Sequence, residues 1–129
     1  MASEDPTFVT DLQLEVLRIL WSAGEATVNE VHRELQSSRE LAPTTVATLL
    51  GRLEKRGLVS HTIDGRQYRY SAAVEESDIV RAAVDEVATR VFGGDLTAFA
   101  AQLLSGKDVK PDDLARIRAL IDERMSESN

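Results

Sequence analysis

The 129-residue sequence contains no cysteine, which excludes disulfides and any cysteine-based zinc or copper site. Its two histidines, His32 and His61, stand alone in the chain and cannot supply a metal site unaided. No metal and no cofactor is therefore expected. No apolar run approaches the ~20 residues of a membrane span. No basic segment followed by an apolar core opens the chain as a secretory signal would. These absences lead to the expectation of a cytoplasmic protein without membrane insertion. There is also no glycine-rich phosphate loop and no strand–helix alternation. Glu75-Glu76 and Asp112-Asp113 read as helix-start charges, not as catalytic carboxylates. An enzyme is not expected.

What is present is an ordinary globular composition, 43% hydrophobic and 29% charged, with a net charge of −7. That sign alone argues against nucleic acid, because phosphate attracts lysine and arginine. The charge is uneven, however. Between Arg52 and Ala72, the bases Arg52, Lys55, Arg56, Arg66 and Arg69 face only Glu54 and Asp64, a local balance of +3. From Ala73 onward the balance is −5.

The first half reads as three helices and a hairpin. Thr10 and Gln13 have capping-box spacing, and Leu12, Val16, Leu17, Ile19 and Leu20 follow with helical periodicity up to Gly24. After the β-prone Ala26-Thr27-Val28, Thr27 and Glu30 repeat the box, and Val28, Val31, His32 and Leu35 share one face. His32 is read as a packing residue. A third helix occupies "APTTVATLLGRLEKRG". Pro43 suits its first position, Leu41 and Val46 form a hydrophobic staple around Ala42, and Gly57 closes it. Val46, Leu49, Leu50 and Leu53 make a narrow apolar stripe. Thr44, Ala47, Thr48, Gly51 and Lys55 centre on the opposite side, with Thr45 and Arg52 on its flanks. A glycine inside a helix costs about 1 kcal/mol relative to alanine, so Gly51 calls for a compensating reason.

In "LVSHTIDGRQYRYS" the pair Asp64-Gly65 signals a two-residue type I′ turn. That turn pairs Ile63 with Arg66, Thr62 with Gln67, His61 with Tyr68, Ser60 with Arg69 and Val59 with Tyr70. Val59, His61, Ile63, Tyr68 and Tyr70 then share one face, and Ser60, Thr62, Gln67 and Arg69 the other. His61 is read as a cross-strand neighbour of Tyr68.

After Ala72 come three amphipathic helices. The first carries Ile79, Val80, Ala83, Val84, Val87 and Val91 and ends in Phe92-Gly93-Gly94. The second carries Leu96, Phe99, Ala100, Leu103 and Leu104. The third starts at Pro111 and carries Leu114, Ile117, Leu120 and Ile121. With no sheet to cover them they form a thin core, which a second copy would complete. The expectation is a mainly α fold with a small β-hairpin: a winged helix–turn–helix domain over residues 1–72, then a helical dimerisation region over 73–129. Ile79, Val80, Val84, Val87, Val91, Phe92, Phe99, Leu103, Leu114, Ile117 and Ile121 are its candidate dimerisation residues. Folding of these helices back onto the first domain stays open.

Helix, short strand, helix, helix, hairpin is the order of a winged helix–turn–helix, in which the third helix enters the DNA major groove and the hairpin is the wing. The polar side of the third helix would then face double-stranded DNA. Thr44, Thr45 and Thr48 would donate to phosphates or touch base edges, and Arg52 and Lys55 would reach phosphate or guanine. Arg66 at the wing tip and Arg69 on the polar wing face complete the candidate set. Gly51 would let the helix backbone approach the duplex closely. A winged-helix protein–protein module that does not bind DNA is the alternative, and the net −7 favours it.

The segments "LQLEVLRILWSAGEATVNEVHREL", "APTTVATLLGRLEKRGLV", "DGRQYRYSA" and "VFGGDLTAFAAQLL" resemble the BlaI/MecI/CopY penicillinase-repressor family of bacterial transcriptional regulators. The resemblance runs from about Thr10 to Met125, and its most specific part is Phe92-Gly93-Gly94-Asp95. It implies a homodimeric repressor on an inverted-repeat operator. It also implies, for the β-lactam branch, a sensor protease that cleaves the dimerisation region. The matching position is Gln102-Leu103, where β-lactam members carry Asn-Phe. The cysteine-rich motif of the copper branch is absent, and Ala47 stands where some members have arginine.

Overall fold

The computed structural model describes residues 8–128. In chain order it contains α1 (Asp11–Ala23), α2 (Val28–Leu35), α3 (Pro43–Lys55), β1 (Val59–Asp64), β2 (Gln67–Ala72), α4 (Glu76–Arg90), α5 (Leu96–Leu104) and α6 (Pro111–Glu127). The chain divides into two compact units, one up to Asp85 and one from Glu86. The division falls inside α4, whereas the sequence places it at the end of the hairpin. No helix among the described residues is long and apolar enough to cross a membrane.

The first unit is built on local signals. Thr10 accepts from the Gln13 N–H at 3.2 Å and Gln13 Oε1 accepts from the Thr10 N–H at 3.1 Å. Thr27 and Glu30 do the same at the start of α2, at 3.2 and 2.9 Å. Each box satisfies two otherwise unpaired donors. Pro43 occupies the first turn of α3 and Ala42 caps it without a side-chain bond. At the other end Gly57 adopts φ +79°, a left-handed conformation open to glycine. Its N–H reaches the Glu54 carbonyl at 2.9 Å, and the Leu58 N–H reaches the Leu53 carbonyl at 3.0 Å. This is a Schellman closure, and the buried pair Leu53 and Leu58 seals it.

The core is filled by the apolar stripes of the three helices. Val16, Leu17 and Leu20 of α1 meet Val31 and Leu35 of α2, and Val46, Leu50 and Leu53 of α3. Leu58, Val59 and Tyr70 close it from the hairpin. Burying each such aliphatic side chain contributes about 1.5–3 kcal/mol relative to leaving it in water. The Trp21 indole N–H donates to the Val74 carbonyl at 2.9 Å, which ties the segment after the hairpin to α1. Ile79 joins the same core, only 6% exposed. The sequence reading puts Ile79 in the dimerisation set, but its side chain is buried in the core of the first unit. His32 packs as expected; its Nε2 carries the hydrogen, because the Leu41 carbonyl 2.7 Å away can only accept.

The hairpin forms with a register different from the one expected. Asp64 pairs with Gln67, Ile63 with Tyr68, Thr62 with Arg69, His61 with Tyr70, Ser60 with Ser71 and Val59 with Ala72. The turn is therefore Gly65-Arg66. A type I′ turn at Asp64-Gly65 needs positive φ at Asp64, and no described residue other than glycine has it. Gly65 alone does, at +66°, as a type II′ turn requires at its first central position. The slip moves every partner by two residues, so side-chain faces are unchanged. Ala26 bridges to Tyr70 through both backbone bonds, at 2.9 and 2.8 Å, and docks the base of the wing beside α2.

In the second unit α5 and α6 have no buried residue. Phe92 and Phe99 stack with ring centroids 5.0 Å apart. Val91, Leu96, Leu103, Leu114, Leu120, Ile121 and Met125 are exposed. On α4, Val80 and Val84 are exposed too. Val87, Phe92, Phe99 and Ile117 are half-buried.

Candidate nucleic-acid interface

The apolar stripe of α3 is turned into the core, which fixes its opposite side outward. Thr44, Thr45, Ala47, Thr48, Arg52 and Lys55 are all exposed. The Thr48 hydroxyl donates to the Thr44 carbonyl at 3.0 Å. In that rotamer Thr48 offers lone pairs and a methyl group outward, whereas the sequence reading used it as a donor. A Cβ built on Gly51 meets nothing within 4 Å, so packing inside this chain gives no reason for a glycine there.

The cations sort into committed and uncommitted groups. Arg56 donates to Gln13 Oε1 at 3.1 Å and to the Phe8 carbonyl, fastening the end of α3 to the start of α1. Arg39 pairs with Glu15 at 2.8 Å. Its hydrogen bond, with that of Ser38, holds the Glu15 carboxyl below the usual carboxylate range. Arg69 pairs with Asp64 at 2.8 Å, and this bond raises its already high pKa further, with Glu30 and Glu25 adding attraction. Arg69 is thus held in an acidic setting. Arg52, Lys55 and Arg66 make no ion pair among the described residues. Arg66 is exposed in the turn of the wing.

Between α3, the start of α2 and the wing runs a groove of about 380 Å³, lined by Thr27, Val28, Asn29, Ala47, Arg66, Gln67, Tyr68 and Tyr70. Asn29 carries no sequence signal for this place, and Gln67 only its position on the polar wing face. Their neighbourhood follows from the Ala26 bridge, which has no local sequence signal. Glu54 is, from sequence, only one of two acids in the basic block. Both its oxygens lie within hydrogen-bond distance of Nδ1 of His61, at 2.7 and 2.9 Å. Of the predicted contact residues only Arg66 lines this groove, with Ala47 of α3; Thr44, Thr45, Thr48, Arg52 and Lys55 are exposed on α3 outside its lining, and Arg69 is tied to Asp64. Gln102 and Leu103 are exposed near the end of α5.

The sequence model of the penicillinase repressor family matches residues 9–123. The chain belongs to the penicillinase repressor family. This is a family of DNA-binding transcriptional repressors, not of enzymes, and the repressor described here has their winged-helix fold. It is 26% identical to the penicillinase repressor of Bacillus licheniformis over 115 residues, covering 89% of this chain and 90% of that one. It is 26% identical to the methicillin resistance regulatory protein MecI of Mammaliicoccus sciuri over 116 residues, covering 90% and 94%. The solved DNA-binding domain of the repressor BlaI aligns with 36% identity and a TM-score of 0.50, covering 54% of this chain and 85% of that one. The hsRosR-S1 complex structure covers 98% and 100% with a TM-score of 0.55, and at 20% identity it speaks to fold alone.

Proposed function

We propose that the repressor acts as a homodimer on an inverted-repeat operator. In this reading, α3 of each protomer lies in a major groove and Arg66 of each wing meets the flanking backbone or minor groove. Thr44 and Thr45 meet base edges and phosphates, Thr48 meets base edges through its lone pairs and methyl group, and Arg52 and Lys55 provide the charge. The observation that carries the reading is the uncommitted state of Arg52, Lys55 and Arg66, beside neighbours whose cations are internally paired. Arg69 is a weaker phosphate contact because docking must first draw it from Asp64. The exposed apolar residues of α4, α5 and α6 are the proposed surface for the second copy. Cleavage by a sensor protease at Gln102-Leu103 is the proposed route to relief; the bond is exposed but helical, so α5 must unwind locally for it to be cut.

Selection of bound fragments from the host genome, followed by salt titration of the best fragment, tests the proposal. Enrichment of an inverted repeat, with affinity falling steeply as salt rises, is the expected result. Weak binding indifferent to sequence would overturn it. The net charge of −7 would then favour a winged-helix module that binds protein instead.

A further inference from the structure

Glu54 is the one acidic residue of α3 and stands between Arg52 and Lys55 in sequence. A free carboxylate there would repel phosphate. It is not free. An ionised carboxylate only accepts, so Nδ1 of His61 on β1 carries the hydrogen and donates to it at 2.7 Å. The two side chains are 34% and 24% exposed, so water does not fully screen the bond. The His61 ring lies flat on Tyr68 of β2, with centroids 3.9 Å apart and planes 9° from parallel. Tyr70 closes the cluster, 5.5 Å from His61. Its hydroxyl pKa is raised mainly by burial and then by the Glu54 charge. Tyr68 is two residues from Arg66, at the turn. Contacts therefore link α3 through His61 of β1 to Tyr68 of β2, two residues short of Arg66.

We propose that Glu54, His61 and Tyr68 form a clasp that fixes the wing against α3 and sets where Arg66 meets the duplex. They are positioning residues, and the proposal rests on the DNA-docking reading above. The hairpin's base is pinned by the Ala26 bridge, but among the described residues its tip has no backbone partner beyond its own two strands. The clasp adds a side-chain restraint from α3 at His61, opposite Tyr70, extends it one step toward the turn through Tyr68, and places α3's one negative charge against a donor instead of against phosphate.

A double-mutant cycle on the full chain, read as affinity for the selected operator fragment, tests this. Arg66→Ala in the wild-type background should weaken binding about tenfold, the scale of one charged contact. With the clasp opened by Glu54→Ala or His61→Phe, the same change should matter less than about twofold. Glu54→Gln keeps an acceptor for Nδ1–H and should restore the tenfold effect. An equal Arg66→Ala loss in every background would overturn the clasp. So would a larger loss with Glu54→Ala, the result if Glu54 merely competed with phosphate for Arg66. Thermal unfolding checks each variant; should His61→Phe not fold, the Glu54→Ala and Glu54→Gln pair decides alone. A wild-type chain that selects no operator sinks the DNA reading and the clasp together. A selected operator with additive losses sinks the clasp only.

Discussion

Gly51→Ala should move stability and DNA binding in opposite directions. Gly51 lies inside α3, its φ is negative and an added Cβ meets nothing within 4 Å. The methyl group therefore fits the free protein without strain, and it removes backbone freedom from the unfolded chain. Stabilisation of about 0.5–1 kcal/mol follows. For a cooperative body the size of the first unit, that is a rise in Tm of about 2–8 °C. If the helix backbone at Gly51 packs directly on the duplex, the same methyl overfills a packed contact at about 1–3 kcal/mol. Operator affinity then falls about five- to 140-fold. Urea unfolding with an unchanged m-value measures the first effect, and fluorescence anisotropy on an operator fragment the second. Raised stability with undiminished affinity would refute the close-approach reasoning. Lowered stability would refute the account of this helix face itself.

Four further outcomes are expected. Arg66→Ala and Lys55→Ala should each reduce the salt slope of operator binding by about 1, and Arg69→Ala by less, because Asp64 already holds it; equal slopes for Arg66 and Arg69 would refute that ranking. Trp21→Phe should destabilise by about 1 kcal/mol in urea through the lost bond to the Val74 carbonyl. Glu15 and Glu30 have folded-state pKa values below the ordinary 4.5, Glu15 through Arg39 and Glu30 through the Thr27 N–H. Their contribution is present above pH 4.5 and is lost as pH falls through the lowered values, so Glu15→Gln with Glu30→Gln should flatten the acid limb of a stability–pH profile. Leu120→Glu, at a side chain 64% exposed, should give monomers in sedimentation and weaker operator binding.

Features that depend on a few consecutive residues were legible in the sequence. Both capping boxes, Pro43 at the head of α3 and the glycine that closes it follow from local chemistry, and the stripes of α1, α2 and α3 follow from helical period alone. The hairpin exposes the limit of such signals. Asp64-Gly65 is compatible with a I′ turn on those two residues or a II′ turn one step later, and the choice depends on the φ that Asp64 accepts. Because the two registers differ by two residues on the partner strand, the faces were still read correctly. Ile79 reads as a dimerisation residue and sits in the first unit's core, because an apolar position on an amphipathic helix does not say which neighbour it meets. The sequence assigns Glu54, Asn29 and Gln67 no site role for a similar reason. Their roles arise from the packing of α2, α3 and the wing, and nothing within a few residues of each announces it.

The bridge between Ala26 and Tyr70 gives the wing the mechanics of a cantilever. Its fulcrum is at Tyr70, where two backbone bonds fix it beside the entrance to α2. Beyond that point the beam is two strands thick and ends at Gly65 and Arg66. A small rotation at the fulcrum becomes a larger sweep at the tip. Changes near Ala26 would thus displace Arg66 without touching it, and changes at the tip would alter its reach while leaving the supporting frame at rest.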